Sequence, residues 1–166
     1  MTFAPFPPSS VGQPAPLAER RNGGAASLAR GVCRAFHQLG YASLVEFPLA
    51  NGRRADVLAL GTGGELVIVE IKSSVADFRA DQKWSSYREF ADRLVFAVAG
   101  GFPTILIPEE CGLMVADAFG AAMLRQGQST RLAAARRRAV TLRFARIAAI
   151  RLHRSLDPQA GRLDPA

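Results

Sequence analysis

The chain has 166 residues, a hydrophobic content of 49% and a formal net charge of +7. This is enough apolar material for one folded domain around a single core, and it argues against a disordered chain. No run approaches the ~18–20 apolar residues that span a bilayer, so a membrane-spanning protein is not expected.

The charge is unevenly placed. Nine arginines and no acid lie between Arg125 and Arg154, leaving twelve basic against fourteen acidic residues elsewhere. A basic segment on a nearly neutral body points to an anionic partner, nucleic acid first. Arginine rather than lysine suits planar, bidentate contact with phosphate. The plainer alternative is a solvated helix face in an arginine-rich chain, whose only lysines are Lys72 and Lys83.

Residues 1–16 are Pro-rich, without a basic start or a continuous apolar segment, and read as a flexible lead rather than a secretory signal. Residues 17–158 read as one domain and 159–166 as a frayed tail. Cys33 and Cys111 lack metal-ligand spacing and are expected reduced and structural, in a cytoplasmic protein.

Within the domain, Ala25–Leu39 reads as a helix, with Leu28, Val32, Phe36 and Leu39 on one face and Gly40 as its stop. Tyr41–Pro48 follows as a first strand, turning at Ala50-Asn51-Gly52. Arg54–Leu60 and Leu66–Lys72 are apolar strands joined by the hairpin chemistry of Gly61-Thr62-Gly63-Gly64. Ser73 or Ser74 caps a helix expected over Val75–Phe90. Arg93–Ala99 is a further strand, parallel to Leu66–Lys72 because a helix precedes it. Thr104–Pro108 reads as a helical turn, Gly112–Asp117 as a short strand and Met123–Arg125 as an edge strand. A helix from about Leu132 to Leu156 ends before Asp157-Pro158. The order implies an α/β fold, a mixed central sheet flanked by helices with a basic C-terminal helix.

The chemistry concentrates in Arg53–Lys72. Asp56 opens one strand; Glu70 follows fourteen positions later near the end of the next, and Lys72 two beyond it. Side chains at i and i+2 of a strand share a face, so Glu70 and Lys72 project together. Ionisable groups ending so apolar a run are costly to bury without a partner or a task. Hydrolysis of a phosphodiester needs this set: two carboxylates for a divalent cation, and an amine beside the attacking water. Mg²⁺ is satisfied by one or two carboxylates, with Mn²⁺ as a substitute. Asp56 and Glu70 supply that pair, the carbonyl of Ile71 a further oxygen, and Lys72 the amine. The alternative is an exposed strand end with an incidental salt bridge, since E-x-K alone is common.

Together these features resemble the PD-(D/E)XK nuclease superfamily, whose restriction-endonuclease-like core carries its aspartate on the second strand and E-x-K on the third. The strings RRADVLAL, VEIKSSVADFRADQKWSSY and DRLVFAV resemble, more narrowly, the MmcB-type bacterial DNA-repair proteins. The resemblance spans about residues 20–158. It implies a Mg²⁺-dependent DNA endonuclease acting in repair, with DNA as partner, and a homodimer or other repair proteins as further partners. A non-cleaving, nucleic-acid-binding accessory of the same fold is the alternative, and a protein-binding α/β module the third reading. Ala55-Asp56 lacks the proline that names the superfamily.

Some superfamily members draw another metal-binding acid from the first helix. None stands in Ala25–Leu39, which leaves Glu46, with Glu19 second, or Glu46 merely pairing with Arg53 or Arg54. The helix after the triad often lends a Gln, Lys or Tyr in such proteins. Gln82, Lys83, Trp84 and Tyr87 are therefore expected near substrate, Trp84 either stacking on a base or packing the core. Lys83 and Tyr87 share a face if the helix is continuous. Asp77 and Asp81 read as solvated.

At 100° per residue, Arg136, Arg143, Arg146, Arg151 and Arg154 fall within an arc of about 140°. Opposite lie Thr141, Leu142, Phe144, Ala145, Ala148, Ala149 and Leu152, the expected packing face, while Val140, Ile147 and Ile150 intrude on the arginine side. Arg136, Arg143 and Arg146 are expected to contact a DNA backbone. A membrane-surface helix is disfavoured by the few bulky anchors.

Overall fold

The computed structural model describes residues 24–81 and 83–159. The Pro-rich residues 1–16, Glu19, Gln82 and residues 160–166 lie outside the described residues. Among the described residues eleven segments build the fold, of which three α-helices and six strands matter here.

Helix α1, Ala25–Gln38, buries Leu28, Val32, Ala35 and Phe36 at helical spacing. It ends where Tyr41 N donates to Phe36 O (2.9 Å), a closure that needs the left-handed φ of +81° at Gly40. Strands β1 (Ala42–Pro48), β2 (Arg54–Leu60) and β3 (Leu66–Lys72) form an antiparallel meander. The turn into β3 closes with Gly64 N donating to Gly61 O at 2.9 Å. Helix α2, Val75–Ala80, begins the crossover to β4 (Arg93–Ala99), which pairs parallel to β3. Strands β5 (Gly112–Ala116) and β6 (Ala121–Arg125) extend the sheet, and α3 (Ala134–Leu156) closes the domain. The single six-stranded sheet has the order β1-β2-β3-β4-β5-β6. This mixed sheet flanked by helices is consistent with a restriction-endonuclease-like core.

Alternation along the strands divides the core into two layers. Val57, Ala59, Val67, Val69, Val95 and Ala97 pack on α1. Leu58, Leu66, Ile68, Leu94, Phe96 and Val98 face the other way, toward Tyr87, Phe90, Val140, Phe144 and Ile147. No helix among the described residues is long and apolar enough to cross a membrane.

Two expectations are corrected. The helix expected over Val75–Phe90 breaks after Ala80 and resumes as a 3-10 helix over Trp84–Glu89. Asp81 causes the break: its Oδ1 accepts from Lys83 N (3.0 Å), an Asx turn that competes with helical bonding. Ser74 caps α2 as expected, accepting from Asp77 N at 3.1 Å. Lys83 and Tyr87 therefore do not share an α-helical face.

The second correction concerns α3. Phe144 is buried as expected and meets Phe47 with centroids 6.1 Å apart, but its buried companions are Val140 and Ile147 from the arginine side rather than the alanines and leucines of the expected packing face. Burying them turns several arginines inward rather than away. Arg143 Nε donates to Pro48 O at 2.7 Å, and Arg151 donates to Val45 O at 2.6 Å and Glu46 O at 3.0 Å. The long guanidinium stems thus reach past the apolar contact and occupy carbonyls of the edge strand β1.

Candidate active site

The site begins where the β2–β3 ladder stops. Val57 pairs with Val69, but the next rung, Asp56 opposite Glu70, is missing from the register. The two carboxylates take over the lost bonds. Asp56 Oδ2 accepts from Ile71 N at 2.7 Å, and Glu70 Oε1 accepts from Asp56 N at 3.3 Å. Each acid is thereby held by the backbone of the other's strand. Opposed residues share a face, as do i and i+2, so Asp56, Glu70 and Lys72 converge on the side of the sheet that α2 and α3 cover.

Lys72 is only 5% exposed. Its Nζ lies 2.6 Å from Asp81 Oδ2 and 3.9 Å from Glu70 Oε2. Asp81, expected in solvent, is thus part of the site. Burial works against its charged form, but the bonds from Lys72 and Lys83 N prevail and hold its carboxyl below the ordinary range. A sequence signal existed: an acid at a helix C-terminus opposes the dipole and signals a break. Arg53 is a second residue missed, half-buried and close enough to lower the pKa of both Asp81 and Tyr87.

The carboxylates are strained electrostatically. Burial, then the charge of Asp56, pushes Glu70 up to about 8, with Lys72 only partly opposing. Burial also raises Asp56, against the hydrogen bond from Ile71 and the charge of Lys72. Tyr87 is buried beside them; its hydroxyl donates to Arg54 O at 3.2 Å, and burial with the charges of Glu70, Asp81 and Asp56 lifts it to about 12.

This strain is measurable. Between its ordinary value of 4.5 and about 8, folded Glu70 keeps a proton that the unfolded chain has released. Stability is therefore expected to fall as pH rises through that window, by up to about 1.4 kcal/mol per unit. Asp56, also raised, adds to the fall at its acid end. Asp81 and Asp92 are lowered and act only at more acid pH. Urea denaturation of the metal-free protein from pH 5 to 8 should show the decline, and Glu70→Gln should flatten it.

The other candidates sort by position. Glu46 sits across β1 from Asp56 at a rung broken by its own left-handed φ of 51°. Its carboxylate pairs with Arg54, although its charge reaches Asp56 and helps raise it. Trp84 packs edge-on against Phe96, centroids 5.8 Å apart, which spends its ring on the core rather than on a base. Lys83 is exposed at the start of the 3-10 helix. Arg136 lies over Phe90 at 5.0 Å and pairs with Glu89 at 3.7 Å, whereas Arg146 is exposed and has no partner among the described residues.

No cluster of three or more His, Cys, Asp or Glu is arranged to hold a metal ion among the described residues. Two carboxylates are nevertheless a sufficient protein share for Mg²⁺, a hard ion that keeps several waters. Asp56 and Glu70 fit it: adjacent, the first half-buried and the second buried, both raised, and in want of positive charge.

Similarity to known proteins agrees with this architecture. The chain is similar to a solved structure described as the SPO1766 protein of unknown function from Silicibacter pomeroyi. The two are 45% identical, with a TM-score of 0.79 over 82% of this chain and 93% of that one. No curated protein matches the chain. The family model for the DNA repair protein MmcB-like family matches residues 13–159, nearly all of the sequence. With the meander, the crossover and the acidic pair in place, the chain belongs to the MmcB-like DNA repair protein family.

Proposed function

We propose that this protein is a Mg²⁺-dependent DNA endonuclease acting in repair, built on the PD-(D/E)XK plan. The observation that carries the reading is the convergence of Asp56, Glu70 and Lys72 at one unpaired rung, each acid fixed by the opposite strand. Asp56 and Glu70 would hold the ion, with the carbonyl of Ile71 as a further oxygen. When bound, the ion neutralises phosphate charge and acidifies a coordinated water. Lys72, held in position by its ion pair with Asp81, offsets negative charge on the phosphate as it accumulates. Lys83 and Arg53 stand at the rim of the same site and would grip the DNA backbone.

The test is cleavage of a panel of branched, mismatched, abasic and single-stranded DNA with Mg²⁺ or Mn²⁺, with and without EDTA. Wild type should cut at least one substrate, EDTA should stop it, and Asp56→Asn should be inactive while still binding DNA. Silence across the panel for wild type refutes the enzyme.

A non-cleaving DNA-binding accessory is the second reading. Its support is the burial of Lys72 in a close pair with Asp81, which also suits a purely structural role. Unchanged DNA binding by Asp56→Asn, with no cleavage by either protein, would favour it.

A further inference from the structure

Helix α3 buries one side and leaves the opposite side covered by nothing among the described residues. On that outer side Leu142, Leu152 and Leu156 are 60%, 61% and 76% exposed. With the exposed Ala145 and Ala149 they fall at steps of three and four residues, within an arc of about 80° and along about 20 Å of helix. This is the a/d spacing by which one helix seats another. The stripe does not end on a flat surface. At its N-terminal end Leu142 lines a cleft of about 480 Å³ together with Gly64, Arg131, Leu132, Arg138 and Thr141.

Charge identifies what fits there. Arg146 flanks the stripe and Arg131 and Arg138 stand at its N-terminal end; all three are exposed and have no partner among the described residues. No acid occurs anywhere from Arg125 to Arg154. A second α3 laid against the first would bring arginine to arginine, so the surface is unsuited to self-pairing. Phosphate backbone would satisfy the arginines but leave three leucines in water.

We propose that the outer face of α3 is a docking surface for an acidic amphipathic helix of a partner protein. Leucines of that helix cover Leu142, Ala145, Ala149, Leu152 and Leu156, and a bulky apolar residue enters the cleft at Leu142. A carboxylate on its flank meets Arg146, and carboxylates at the end beside the cleft meet Arg131 and Arg138. This surface is separate from the carboxylate site and stands or falls independently of nuclease activity.

The probe is a synthetic, fluorescently labelled helix of about three heptads, with Leu at a and d and Glu at the flanking positions. It is titrated with the full chain and compared with a scrambled peptide of equal composition. Binding should be micromolar, weaken with salt, and fall at least tenfold in both Leu142→Glu/Leu152→Glu and Arg138→Glu/Arg146→Glu. Circular dichroism checks that these exposed substitutions leave the fold intact. Equal binding of the scrambled peptide, or none below 1 mM, overturns the proposal. So does sedimentation showing a dimer that Leu152→Glu dissociates, which would make the occupant a second copy. Leucine-dependent uptake by phosphatidylserine vesicles without peptide binding would assign the face to a lipid surface and equally overturn it.

Discussion

Replacing Lys72 by methionine is expected to reduce the proposed metal-dependent DNA cleavage about 10²–10³-fold while leaving DNA binding nearly intact. The amine sits between Asp81 and Glu70, 2.6 Å from the first and 3.9 Å from the second, and among the described residues it alone forms an ion pair with an acid of the carboxylate notch. Methionine keeps much of the apolar stem and removes only the charge. Without it, Glu70 loses the main charge opposing protonation, so its proton should be held still more tightly. Asp81, partly open to water, can rehydrate, which limits damage to the fold. Asp81→Asn should act through Lys72 and cost less, with a shifted pH profile as the sign that the lysine has been released rather than removed. Single-turnover cleavage, with anisotropy for DNA binding, separates these effects. Wild-type rates in Lys72→Met would make the amine a structural partner only.

Asp92→Ala is expected to destabilise the whole protein by about 3–5 kcal/mol, the range for removing one partner of a buried ion pair. Asp92 is 3% exposed and ties three parts of the chain together. Its carboxylate accepts from Leu66 N at the start of β3 (2.8 Å), from Leu132 N before α3 (3.1 Å), and from both terminal nitrogens of Arg137 (2.8 and 2.6 Å). Removing it leaves Arg137 without its carboxylate partner and two backbone donors short of an acceptor. Because β3 carries Glu70 and Lys72, the damage should reach the site as well. Denaturant unfolding with a circular dichroism readout measures the loss. Arg137→Met, which leaves Asp92 with its two backbone donors from Leu66 and Leu132, should cost less. A change under about 1 kcal/mol for Asp92→Ala would show that water substitutes for the carboxylate.

Much of the fold was legible because the strands announce themselves. Arg54–Leu60, Leu66–Lys72 and Arg93–Ala99 are apolar runs of a length that suits buried strands, with glycine punctuation between them, and the structure has them with these bounds. Apolar runs with no polar phase fit only the middle of a sheet. The acidic pair was legible for a related reason, since a charge at the end of such a run has few inexpensive explanations. Helix α3 was harder. Its periodicity offers two apolar arcs, one of alanine and leucine, the other of Val140 and Ile147 interleaved with arginine. Which arc is buried depends on the groove that Phe47 and its neighbours present, and that groove is made by residues about a hundred positions away.

From the chain alone come the three-stranded meander with the parallel strand after it, the spacing that sets two acids and an amine on one face, and the concentration of arginine near the end. These follow from periodicity and local chemistry, which act over a few residues. Only the folded molecule decided that Asp81 turns back to Lys72, that Arg143 and Arg151 bind the edge of β1, and that the leucines of α3 face outward. Each of those outcomes depends on which distant backbone or side-chain group happens to lie within hydrogen-bonding or packing range, and sequence spacing does not carry that distance.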